Sequence, residues 1–311
     1  MLSKVAERIY WSARYLERVE AMARLVSIYD KLLFDLPKQV DLSWYNLIVI
    51  NSLEDGFNKR YSVRDERNVV KYLIGDEDNI SSVVNSLRAI RENIRTTRDV
   101  VPADTWEMVN ELSMFVEDNL ANGLKRSMRH EFLETIIKSC QQIVGLLYVN
   151  MTRDEGWEMV LLGQNLERAD MTTRNLDAAI AAIVQVADDD FAVNSRQIIW
   201  GNVLRALNAD QPFRREMRSS IRGTPVVNFL MGNEEFPRAI SFCLNKIVTS
   251  SERLPKGDDV IQRTNAIRKE IALDLQAEDF GEPFRDDLNE LQLSLADLHG
   301  LIEKAWFQSN Y

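Results

Sequence analysis

Two short segments hold most of the chemistry available to this chain. Leu16-Glu17-Arg18-Val19-Glu20 and Leu166-Glu167-Arg168-Ala169-Asp170 each set a carboxylate beside a guanidinium within a largely apolar stretch. A carboxylate in such surroundings, Glu17 or Glu167, has the chemistry of a general base. The nearby Arg14, Arg18, Arg24, Arg168 and Arg174 have the planar fork that grips a substrate carboxylate or phosphate. A third polar cluster runs from Arg91 to Asp99. Arg91, Arg95 and Arg98 recur at i, i+4 and i+7, so one helical face carries all three. That face reads either as a solvated basic surface or as an anion site. If its helix packs beside the first one, these groups and Arg14, Arg18 and Arg24 would line one pocket for an anionic or peptide ligand.

The elements that must position these groups are helices. The chain has 311 residues, with only 12 Gly and 7 Pro, too few turn formers for an all-β architecture. One long segment spans about Ser3 to Phe34, with Ser3 as a plausible cap and a stop before Pro37. Further helices are expected over 78–99, from Trp106 (capped by Asp104 or Thr105) towards Asn122, over 129–150 and over 154–187. Shorter ones follow near 195–207, 213–220, 225–231 and 237–250, then longer ones near 259–276 and 284–307. Thr152 or Asp154 can cap the helix that carries Glu167. Asp188-Asp189-Asp190 reads as a solvated connection.

The two Glu-Arg segments belong to a longer internal repeat. Trp44-Tyr45-Asn46 matches Trp200-Gly201-Asn202, and Val69 to Glu77 matches Val226 to Glu234. The expected fold is all-α: a helical bundle of two repeated halves, roughly 1–150 and 151–311, related by a pseudo-two-fold axis and packed as a single domain over 1–311.

Placed on a helix, Ala6, Tyr10, Ala13, Glu17, Ala21, Arg24 and Ile28 share a stripe. Gly156, Val160, Gly163, Glu167, Met171, Arg174 and Ala178 share the equivalent one. The small residues allow a second helix to approach closely. A charge buried there needs a partner. Glu17 and Arg24 are separated by a rise of roughly 10 Å, so each partner is expected on another helix. The repeat suggests reciprocity: Glu17 with an arginine of the second copy, Glu167 with one of the first. Both a structural clamp and a polar pocket fit this pattern, and physics alone favours the clamp.

The balance of 38 Lys+Arg against 48 Asp+Glu, a net charge of −10, disfavours a general nucleic-acid binder. No stretch reads as a signal peptide or a membrane span. Cys140 and Cys243 lack metal or redox spacing, which suggests a reduced, cytoplasmic protein. His130 and His299 read as packed or surface helical residues, and no metal site or cofactor is expected. There is no Walker loop, Gly-x-Gly-x-x-Gly or Gly-x-Ser-x-Gly motif.

From Glu7 to Arg18 the chain resembles the bacterial alpha-E family, a helical domain named for its Glu-Arg motif. The resemblance continues through Ala89 to Arg95, Met151 to Trp157, Gly163 to Arg174 and Phe236-Pro237-Arg238. Ile90 stands where the family pattern usually has Ala, and Ala21 where it has Asn. The resemblance implies an all-α protein working with a circularly permuted ATP-grasp ligase and often with a transglutaminase-like protein. It implies a part in ATP-dependent formation of amide or peptide bonds, or in peptide modification. An accessory component, an enzyme completing amide transfer at Glu17 or Glu167, and a structural scaffold are the three functions expected, in that order.

Overall fold

A computed structural model describes residues 1–35, 43–186, 192–274 and 281–308. Among them are fourteen helices and no strand. In chain order they are α1 (Ser3–Asp35), α2 (Asn46–Ile50), α3 (Glu54–Arg60), α4 (Glu66–Ile74), α5 (Val83–Arg95), α6 (Asp104–Leu124) and α7 (Arg126–Asn150). Then come α8 (Glu155–Val184), α9 (Ala192–Ala206), α10 (Asp210–Met217), α11 (Gly223–Gly232), α12 (Ile240–Glu252), α13 (Asp258–Asp274) and α14 (Glu282–Trp306). The all-α bundle expected from composition is the observed fold. The acidic run at 188–190 and Pro37 lie outside the described residues.

Helices α1 and α8 form the centre and pack along each other. Both are apolar on more than one side, so both are enclosed. Helices α5 and α7 flank α1, α12 and α14 flank α8, and α9 touches both. Helix α6 covers α5 and α7, while α13 covers α12 and α14.

Side-chain caps mark the starts of α4, α5 and α8. Asp154 caps α8 by accepting the Gly156 and Trp157 amides, as expected. The segment expected as one helix over 78–99 is shorter. Asn79 and Ser82 divert the backbone into a turn, and Ser82 caps α5 through the Asn85 amide. Ser3 is not a cap but the first residue of α1, where the Leu2 carbonyl accepts the first amides. Helix α6 begins at Asp104 itself, without a side-chain cap.

Two glycines inside helices have opposite meanings. At Gly163 in α8 a Cβ would run into the Tyr10 carbonyl oxygen and lie 3.2 Å from the Ala13 Cβ, so glycine sets the α1–α8 approach. At Gly145 in α7 a Cβ would meet nothing within 4 Å. Gly163→Ala should therefore cost about 1–3 kcal/mol as overpacking. Gly145→Ala should stabilise by roughly 0.5–1 kcal/mol. Denaturant unfolding of the two variants checks both signs.

Candidate functional site

The Glu-Arg segments meet where α1 crosses α8. Glu167 is fully buried, and both of its oxygens are taken by α1. Arg14 Nε donates to Oε2 at 2.7 Å, while Arg18 Nε and Nη2 donate to Oε1 and Oε2 at 2.6 and 3.1 Å. Glu17, also buried, receives Arg238 Nη1 at 2.5 Å. Its other oxygen lies 2.9 Å from Arg168 Nε on α8, an ion contact without hydrogen-bond alignment. The expected reciprocity is thus the observed pairing.

Neighbouring carboxylates extend the network. Glu20 Oε1 accepts from Arg24 Nε at 2.8 Å, from Arg238 Nη2 at 3.1 Å and from Gln141 Nε2 at 3.2 Å. Asp170 accepts from Arg174 Nε at 2.8 Å, and Arg174 Nη1 also reaches the Ile50 carbonyl at 3.0 Å. Six guanidinium groups therefore meet four carboxylates around this crossing. The cluster is cationic within an acidic chain.

This arrangement decides the protonation states. Burial alone would raise the Glu167 carboxyl, but the charges and hydrogen bonds of Arg14 and Arg18 outweigh it and lower it to about 2. Glu20 is shifted down as well: burial opposes the shift, and Arg238 and Arg24 impose it. A carboxylate that holds its charge so firmly and has both oxygens occupied is a poor proton acceptor. Burial pushes the Tyr10 hydroxyl up to about 12 and the Cys243 thiol to about 12, and raises Cys140 as well. Neither thiol is poised as a nucleophile.

Beside Arg14, Tyr10 Oη lies 2.9 Å from His299 Nδ1, with the two rings stacked and Trp11 edge-on to the imidazole. Burial, then the charge of Arg14, lowers His299 to about 4. Of the two helical histidines, each expected to be packed or on the surface, His299 is packed and half-buried and His130 is exposed.

Arg91, Arg95 and Arg98 do not join this centre. Arg95 is exposed and paired with Glu92 on its own helix at 2.8 Å. Arg98 is exposed and lies 4.2 Å over the Trp106 ring. Arg91 is half-buried and makes no ion pair or hydrogen bond among the described residues. Helix α5 does pack on α1, but Ile90 and Ile94, and not the arginines, border the apolar gap it shares with Ile9 and Leu16 of α1. Arg238 and Glu20 also belong to the centre. Arg238 lies in Phe236-Pro237-Arg238, which has no counterpart in the repeat. Glu20 had one, Asp170, which was its available signal.

The outer side of Arg168 borders a cleft of about 700 Å³ between α7, α8 and α12. Among the described residues no group of three or more His, Cys, Asp or Glu could hold a metal ion. No helix among them is long and apolar enough to cross a membrane.

Residues 1–307 match the Alpha-E family, described as a predicted alpha-helical domain with a conserved ER motif. The chain belongs to the Alpha-E family. Its Glu17-Arg18 and Glu167-Arg168 pairs are the Glu-Arg steps that cross at the centre. This Alpha-E chain is also similar to uncharacterised proteins of Mycobacterium bovis and Mycobacterium tuberculosis. It is 23% identical to one from each species over 274 residues, which is 81% of this chain and 30% of theirs. The chain therefore spans under a third of the length of the curated relatives it matches. No solved structure matches it.

Two outcomes follow from the cluster. Glu167→Ala leaves Arg14 and Arg18 facing each other in the interior and should destabilise the Alpha-E fold by about 3–5 kcal/mol. Replacing Glu167, Arg14 and Arg18 together with apolar residues should cost less, and chemical denaturation compares the two. The second outcome concerns acid. Glu167 and His299 both have folded values below their ordinary 4.5 and 6.5. The unfolded chain then takes up protons first, so stability drains away as pH falls. The His299 share is complete above pH 6.5 and lost towards pH 4. The Glu167 share is complete above 4.5 and lost towards 2. Melting curves from pH 7.5 down to about 4 should show this decline in the native chain. In His299→Gln the decline should be smaller.

Proposed function

We propose that this chain is the helical accessory component of an ATP-grasp-linked system that forms amide or peptide bonds or modifies peptides. The ATP-grasp ligase supplies nucleotide and phosphoryl chemistry, and a transglutaminase-like protein is a further companion. One observation carries the reading. Glu167 is held ionised at about 2, with both oxygens consumed by Arg14 and Arg18. On this reading Glu17 and Glu167 clamp α1 to α8, and the activating chemistry lies in the partner. Family membership supports it, as does the absence of a nucleotide loop from the sequence. In the mycobacterial relatives the matching region is accompanied by more than its own length of further chain. That favours a domain working beside others.

The same reading treats residues 1–150 and 151–311 as two related halves of one domain. In support, α5 and α7 pack on α1 as α12 and α14 pack on α8. The buried free thiols Cys140 and Cys243 favour a reduced, cytoplasmic setting. The rival reading is an enzyme whose own Glu17 or Glu167 is the base, with the arginines gripping a carboxylate or acyl phosphate. It draws on the surplus of guanidinium groups.

The test is to purify the chain with and without the neighbouring ATP-grasp protein and to follow ATP hydrolysis. The expected result is co-elution, no turnover by this chain alone, and a stimulated rate for the pair. Acyl transfer from an activated donor to an amine, with release of the leaving group, by this chain alone and abolished in a folded Glu17→Gln variant, would overturn the accessory reading.

A further inference from the structure

The cleft between α7, α8 and α12 carries charge of one sign. Arg153, Arg168, Lys246 and Arg253 line it, and no carboxylate does. Arg253 reaches Glu158 at 3.0 Å yet keeps a side chain 60% exposed. Arg153 lies 3.8 Å over the Trp157 ring and Lys246 5.2 Å over Phe242. Among the described residues neither has a carboxylate partner. Trp157, Leu161 and Phe242 make the walls apolar.

Two further observations separate this cleft from a packing fault. Asn165 is 2% exposed and lines the cleft. Its Nδ2 donates to the Leu161 carbonyl at 2.7 Å, but its Oδ1 is buried and accepts nothing among the described residues. A buried acceptor left unmet is costly, and an incoming N–H removes that cost. The second observation is Gly145, inside α7, where glycine is unfavourable. No neighbour forbids a side chain there; what a side chain would occupy is cleft volume.

We propose that this cleft binds the C-terminal end of a peptide with an apolar last residue. Arg168 and Asn165 are three apart on α8 and so are neighbours on one face. In a terminal residue the carboxylate and the amide N–H flank a single Cα. The guanidinium of Arg168 takes the carboxylate, Asn165 turns from the Leu161 carbonyl to present its now enclosed Oδ1 to the N–H, and the apolar side chain lies against Trp157 and Phe242. Arg153 and Lys246 at the mouth draw the anion in. Inorganic phosphate matches the charges but supplies neither the N–H nor the apolar body. Arg168 also touches Glu17, so an occupied cleft is felt at the α1–α8 crossing. The proposal deepens the accessory reading by naming what the domain holds for its partner.

The experiment is calorimetric titration of the full chain with an acetylated alanine-alanine-phenylalanine tripeptide bearing a free carboxylate. Its C-terminal amide, inorganic phosphate and ATP are the comparison ligands. Saturable binding of the free acid is expected, weakened by about tenfold or more on amidation and displaced poorly by phosphate or ATP. Gly145→Trp should abolish binding without lowering the melting temperature. Lys246→Ala, an exposed change, should weaken binding severalfold while its circular dichroism matches that of the native chain. Equal affinity for acid and amide, tighter binding of phosphate or ATP, or no heat at millimolar peptide would overturn the proposal. So would unchanged affinity in both variants. The titration contains no ATP-grasp protein, so its failure leaves the accessory reading standing, and failed co-elution leaves the cleft standing.

Discussion

The reciprocal burial of Glu17 and Glu167 is the constraint on which the bundle depends. Each carboxylate sits where water cannot reach it, so each needs arginines from elsewhere in the fold. Glu167 takes its pair from α1, while Glu17 takes one from α8 and one from the segment leading into α12. Three parts of the chain are thereby fixed in register. The close approach permitted by Gly163 brings the backbones near enough for the side chains to cross. A second buried arginine does similar work at the other end: Arg129 of α7, 1% exposed, meets Glu66 at 2.8 Å and the Gly123 carbonyl at 3.2 Å.

The same network limits what the centre can do chemically. Proton transfer needs a group whose charge is loosely held. Here guanidinium groups surround every central carboxylate, and burial keeps Tyr10 and the thiols protonated. The groups with freedom to meet a ligand lie at the margin, where the surplus of positive charge reaches the wall of the cleft.

Much of this could be read from residue types and spacing. A buried charge demands a partner, and the repeat of Glu-Arg in two apolar helices pointed to the other helix. The small residue at Gly163 announced the close crossing for the same kind of reason. Arg238 was harder, because it is distant in sequence and lies in a turn that periodicity does not describe. The Arg91, Arg95 and Arg98 face shows the opposite limit. Periodicity says which residues share a face, but not whether that face meets a neighbour. Arg95 finds Glu92 one turn away and never needs the interior. The cleft was unreadable in sequence, since its walls come from three separate helices.

One consequence of the crossed pairing concerns inheritance. A change at Glu167 alone strands two cations, and a change at Arg14 or Arg18 alone unbalances Glu167. Drift at this point is therefore tolerated only as a correlated set of substitutions spread over distant codons. The two Glu-Arg stretches are thus physically coupled, although 150 positions separate Glu17 from Glu167. Between the two stretches Val19 corresponds to Ala169 and Ala21 to Met171, while the charged dyad is present in both.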